Sequence, residues 1–126
     1  MTISTEDRLA IHELISLHGH LVDERDFSRM EELLTDDAVY DVEDFGAGKH
    51  RGMEQLRALF MTPGAHPVGH HVTNVVVSEE AGGTVRARSK GIGIRADGMA
   101  GTVVYADIVV KTNAGWRIAH RKVIKR

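Results

Sequence analysis

The chain has no cysteine among its 126 residues, which removes disulfides, thiolate metal ligands and cysteine nucleophiles together. That absence agrees with a cytoplasmic location, which we expect here. Aromatic residues make up only 5%, and the formal charge is −2. Neither stacking platforms nor a basic field supports binding to nucleic acid or to an anionic membrane. The basic tail (Arg117, Arg121, Lys122, Lys125, Arg126) reads as a solvated strand face. No apolar run approaches the roughly 18–20 residues of a membrane span. The N-terminal stretch Ser4-Thr-Glu-Asp7 is polar and acidic, so neither a signal peptide nor an anchor is expected. No Gly-x-Ser-x-Gly or Ser–His–Asp pattern appears. Gly91-x-Gly93 lies inside a strand pattern with no helix after it, so it marks a bulge or bend and not a phosphate loop.

The remaining composition is that of one ordinary domain, 42% hydrophobic and 27% charged, with no repeat or linker. Ser4-x-x-Asp7 reads as a capping box. After it, Ile11, Leu14, Ile15, His18 and Val22 share one helical face. Asp23-Glu-Arg-Asp26 closes this helix. A short second helix is expected over Phe27–Leu34, a turn at Thr35–Asp37 and a first strand at Ala38–Val42. Gly46–Gly48 marks a hairpin-like turn, a third helix runs about Met53–Met61, and Thr62-Pro63-Gly64 ends it.

From Val68 the pattern is strands only: Val68–Glu79, Thr84–Ala96, Gly101–Thr112 and Trp116–Ile124. Glycine-bearing hairpin turns separate them at 81–83, 97–98 and 113–115. The predicted class is α+β, a strongly curved antiparallel sheet whose concave face is covered by the three helices. Such an open cone leaves a cavity at its mouth.

One stretch concentrates polar chemistry, His66-Pro-Val-Gly-His70-His71-Val-Thr-Asn74. Adjacent His70 and His71 point to opposite sheet faces, so one looks inward and a shared metal is not expected. Strict alternation places His70, Val72, Asn74 and Val76 together. Asp23 sits near a helix C-terminus, where the dipole disfavours a carboxylate by about 0.3–1 kcal/mol, and a partner is one way to hold it there. His18 lies in the middle of an apolar helix face, as a core histidine or a pocket donor. Tyr40 and Tyr105 either pack or supply hydroxyls. Arg121, read as opposite Trp116, Ile118 and His120, either anchors an anionic or carbonyl oxygen or pairs with Asp107 or Asp41.

Several short motifs together resemble the SnoaL-like branch of the nuclear-transport-factor-two-like superfamily. They are Asp7-Arg8-x-Ala10-Ile11-x-Glu13-Leu14, Asp23-x-x-Asp26, Leu33-Leu34-x-Asp36-Asp37-Ala38-Val39-Tyr40-Asp41, His70-His71-x-x-Asn74 and Gly115-Trp116-Arg117-Ile118-x-x-Arg121. They cover nearly the whole chain. That superfamily includes dehydratases, a dehydrochlorinase, an isomerase, polyketide cyclases and non-catalytic subunits, so fold alone does not settle function. The resemblance implies an Asp23–His70 dyad, because its lyase members pair a helix-one aspartate with a histidine just before the strand's Asn. It puts His18 where relatives commonly carry tyrosine. The second catalytic histidine of scytalone dehydratase has no counterpart on the Thr84–Ala96 strand.

Together these readings give a cofactor-free lyase or isomerase for a small oxygenated molecule, dehydration being the most natural case. His70 is then the base, Asp23 its orienting group, and His18, Tyr40, Asn74, Tyr105 and Arg121 line the pocket; no metal is expected. The competing class is a non-catalytic ligand-binding or structural module. A homodimer through the sheet is expected under both.

Overall fold

The first helix forms because its two ends and its buried face agree. The structure, a computed structural model, describes residues 2–62 and 66–126. Helix α1 spans Thr5–Glu24. The Ser4 hydroxyl accepts from the Asp7 N–H and the Asp7 carboxylate accepts from the Ser4 N–H, each at 3.0 Å, closing the predicted capping box. The Asp7 carboxylate also accepts from Trp116 Nε1 at 3.0 Å and from Lys111 at 3.1 Å. These donors hold its pKa well below the usual carboxylate range, the Ser4 backbone N–H first. Ile11, Leu14, Ile15, His18 and Leu21 form the buried face, Leu21 taking the place predicted for Val22. Arg25, in the left-handed region at φ 56°, ends the helix.

The second predicted helix is a 3₁₀ segment, Phe27–Glu32, which buries Phe27 and Met30. Strand β1 follows at Leu34–Asp41, so Thr35–Asp37 is extended and not a turn. It meets its neighbour with a register shift between Leu34 and Val39, where those polar residues are accommodated. Gly46 and Gly48, both at positive φ, turn the chain into a short strand, β2 (Lys49–Arg51), which the composition did not signal. Helix α2 covers Gly52–Met61. Pro63 and Gly64, expected to stop it, lie outside the described residues. Strands β3 (Gly69–Glu79), β4 (Val85–Ile94), β5 (Ala100–Thr112) and β6 (Gly115–Lys125) make the predicted meander.

The sheet order is β2-β1-β6-β5-β4-β3. The β1–β6 pair is parallel, which departs from the all-antiparallel expectation; every other pair is antiparallel. The sheet is curved and does not close on itself, and α1, α2 and the 3₁₀ segment cover one face of it. The core lies between these layers, with Ile11, Ile15, Leu21, Met30, Leu33, Leu56, Val109 and Ile118 buried.

Two bulges correct the predicted facing. On β3 the register shifts between Thr73 and Val76, and Asn74 sits at φ 57°. His70 and Val72 face in before it; Val75 and Val77 face in after it. On β6 the partners change between Ile108 and Val109, leaving Ala119 as the extra residue. Trp116, Ile118, Arg121 and Val123 consequently share the buried face, where strict alternation had separated Arg121 from the first two.

Candidate active site

Asp23 and His70 meet where the last turn of α1 touches the start of β3. His70 Nδ1 lies 2.6 Å from Asp23 Oδ1. The His70 backbone N–H also donates to both carboxylate oxygens, at 3.1 and 3.0 Å. One residue thus supplies two donors to a carboxylate that the helix dipole disfavours. Gly19 makes the approach possible: a Cβ there would sit 3.1 Å from the His70 carbonyl oxygen. The two side chains are 28% and 20% exposed, so the pair is half-buried at the rim. With Nδ1 donating to the aspartate, Nε2 keeps its lone pair. It has no partner among the described residues, and His70 lines a cavity.

A second polar cluster lies deeper. Arg121 donates from Nε and Nη2 to Asp107 at 2.7 and 2.8 Å, and both side chains are almost fully buried, at 2% and 0%. The guanidinium carbon stands 4.0 Å from the centre of the Tyr105 ring, in cation–π geometry. Tyr40, the register partner of Arg121 on β1, has its hydroxyl 3.1 Å from His18 Nε2. The His18 and Tyr40 rings stack at 5.9 Å, and Phe60 meets both edge-on. Burial first, then electrostatic interaction with Arg121 and with His70, lowers the His18 pKa well below its ordinary value, so it is neutral. Burial raises the Tyr40 pKa and outweighs the nearby guanidinium. Tyr105 shifts upward for the same first reason.

The cone is nearly full. Its cavity, bounded by Ile15, His18, Gly19, His70, Val72, Tyr105 and Arg121 among others, has a volume of about 10 Å³, enough for about one water molecule. The expected cavity is present, but small. The Tyr105 ring takes up the room: a Cβ on Gly91 would lie 2.5 Å from it, so only glycine fits opposite. Gly91 and Gly93 are therefore clearance positions with continuous register on the β5 side, and not the predicted bulge. No three histidine, aspartate or glutamate side chains converge on a possible metal position among the described residues. His66 Nε2 meets the Leu59 carbonyl at 3.1 Å, at the end of α2.

Of the residues singled out in the sequence, the fold gathers His18, His70, His71, Tyr105 and Arg121 around one cavity, with Asp23 and Tyr40 bonded to its walls. Asn74 does not join them. The β3 bulge leaves it exposed on the other face, and sequence alternation alone had no signal for that. Arg121 chooses Asp107 over Asp41, which instead accepts from the Glu43 N–H at 3.1 Å. Gly19 and Gly91 were missed, because what a glycine leaves room for is visible only after folding. Ser89 was missed as well. It is directly across from Tyr105, buried, and its hydroxyl has no partner among the described residues.

A family model described as a SnoaL-like domain matches residues 4–122. Among solved structures, a protein provisionally named an aromatic ring hydroxylase from Novosphingobium aromaticivorans is 30% identical, with a TM-score of 0.82 over 98% of this chain and 92% of that one. A provisionally named scytalone dehydratase from the same organism shares the fold at 18% identity and TM-score 0.77, over 98% and 89% of the two chains. LinA does so at 22% and 0.75, over 94% and 85%. No curated protein matches the sequence significantly. With the motifs, the cone and the family model in agreement over nearly its whole length, the chain belongs to the SnoaL-like domain family.

Proposed function

We propose that the protein is a cofactor-free acid–base lyase or isomerase acting on a small, largely apolar oxygenated molecule, most naturally by eliminating water. The observation that carries this reading is the 2.6 Å bond from His70 Nδ1 to Asp23, on a histidine that lines the cavity and whose Nε2 has no partner among the described residues. In that arrangement Nε2 takes a proton from carbon beside a carbonyl, and Asp23 stabilises the imidazolium that forms. The proton then returns to carbon, completing an isomerisation, or goes to a departing hydroxyl, completing a dehydration. Support also comes from the likeness to structures named as a dehydratase and as LinA. Tyr105 must turn out of the cone for anything larger than water to enter.

The test is turnover of small β-hydroxy ketones by the wild type and two variants. His70→Ala and Asp23→Asn are each expected to lose about 10²–10⁴-fold, the range for a positioned general base. Full activity in either variant would remove the dyad.

A second reading, a binding or structural module, rests on the cavity of about 10 Å³. Saturable binding of such ketones without turnover would favour it. Under either reading the chain forms a homodimer through its outer sheet face, where Val76 and Ile92 are exposed. Light scattering that gives the mass of one chain would contradict the dimer. No helix among the described residues is long and apolar enough to cross a membrane.

A further inference from the structure

Three histidines line the cavity, His18, His70 and the exposed His71, and the first two each have one ring nitrogen engaged elsewhere. His70 gives Nδ1–H to Asp23, and in the neutral ring its unpartnered Nε2 carries the lone pair. His18 has Nε2 engaged with the Tyr40 hydroxyl at 3.1 Å. Both members of that contact are neutral at pH 7, so one proton lies between them. Arg121 decides which way it points. It is the register partner of Tyr40 and buried with it, and a guanidinium has donors only and a fixed positive charge. A hydroxyl beside such a charge turns its lone pairs toward it and its proton away, here toward His18. Asp107 holds the guanidinium by two bonds and keeps it from turning. The polar groups around His18 are Tyr40 from β1, His70 from β3 and Arg121 from β6, and the apolar Phe60 ring of α2 packs edge-on against it. Asp107 of β5 pairs with Arg121, and among the described residues no carboxylate bonds to His18 to favour an imidazolium.

We infer that His18 is fixed as the Nδ1–H tautomer and is the cavity's neutral hydrogen-bond donor, facing the His70 acceptor, with Tyr40 and Arg121 as the positioning residues that set this tautomer. His18 lines the cavity, and with Nε2 engaged by Tyr40 its Nδ1 has no hydrogen-bond partner among the described residues. A lone pair and a neutral N–H across one small space fit an enolisable ketone or aldehyde. The carbon–hydrogen bond breaks and its proton goes to His70 Nε2. The electron pair forms the enolate, whose oxygen takes the hydrogen bond from His18 Nδ1. Carboxylate or phosphate substrates are disfavoured, because the Arg121 charge is committed to Asp107.

The catalytic meaning of this inference rests on the acid–base reading; the tautomer does not. Long-range nitrogen–proton NMR on the histidine-labelled full chain reads it directly, with His18→Gln identifying the signal. The wild type at pH 7 should show a protonated-type shift at Nδ1 and a lone-pair shift at Nε2. Tyr40→Phe should move His18 toward a mixture or the Nε2–H form. Nε2–H or an imidazolium in the wild type overturns the inference, as does an unchanged tautomer in Tyr40→Phe. His18→Gln should lose about 10²–10³-fold in turnover, the cost of one oxyanion donor. His18→Asn, whose amide nitrogen falls near Nδ1, should keep more of it, and equal loss in both would count against the donor role. The correct tautomer in a protein where His70→Ala remains active sinks the base assignment alone. The wrong tautomer in a protein that needs His70 sinks this inference alone.

Discussion

Two acid–base pairs border the same small cavity and differ in almost every respect that matters. Asp107–Arg121 is sealed, at 0% and 2% exposure, bidentate, and stacked beneath Tyr105. Asp23–His70 sits at the rim, at 28% and 20%, with one bond between side chains and one ring nitrogen left over. A buried bidentate pair satisfies its members with each other, so its arginine orders its surroundings and is not available to bind an anion. A rim pair with an unengaged nitrogen can exchange protons with whatever occupies the cavity. The sequence alone offered both arginine roles; the fold pairs Arg121 with Asp107.

The largest effect that would break this contrast is on stability. Asp107→Ala strands a buried guanidinium and should destabilise by about 3–5 kcal/mol, read as a drop in the denaturant midpoint. Asp23→Ala, at the rim, should cost well under half of that while removing activity. Similar losses in both would mean that the two pairs are alike.

Next comes the packing over the sealed pair. Gly91→Ala drives a Cβ to 2.5 Å from the Tyr105 ring and should cost about 1–3 kcal/mol by overpacking. A neutral result would show that Tyr105 moves readily, which would ease substrate entry.

The smallest effect separates the two histidines by pH. The His18 pKa in the folded chain lies below its unfolded value of about 6.5. Between those values the unfolded state binds the extra proton, so stability is full above about pH 6.5 and declines as pH falls toward the folded value. His18→Asn should flatten that acid-side slope in thermal melts from pH 7.5 to 5. An unchanged slope would place a charged His18 in the fold.

How much of this was legible beforehand follows from what alternation and spacing can carry. The Ser4–Asp7 box, the α1 face (but for Leu21 in place of Val22) and the hairpin glycines depend on local chemistry, and they appear where the sequence put them. The facing of Asn74 and Arg121 depends on single extra residues in β3 and β6. A bulge is set by strand pairing across the sheet, and nothing local announced either one. The parallel β1–β6 pair and the short β2 are long-range for the same reason. The cavity size was the least legible feature, because it depends on one ring packed over one glycine.

The most direct test of the central claim isolates proton abstraction from the rest of the reaction. In heavy water, deuterium uptake at the α-carbon of a small neutral β-hydroxy ketone is followed by NMR with the wild type, His70→Ala and Asp23→Asn. The wild type should exchange well above the buffer rate, and both variants should fall by about 10²-fold or more. Exchange by His70→Ala at the wild-type rate would contradict the assignment of His70 as the base.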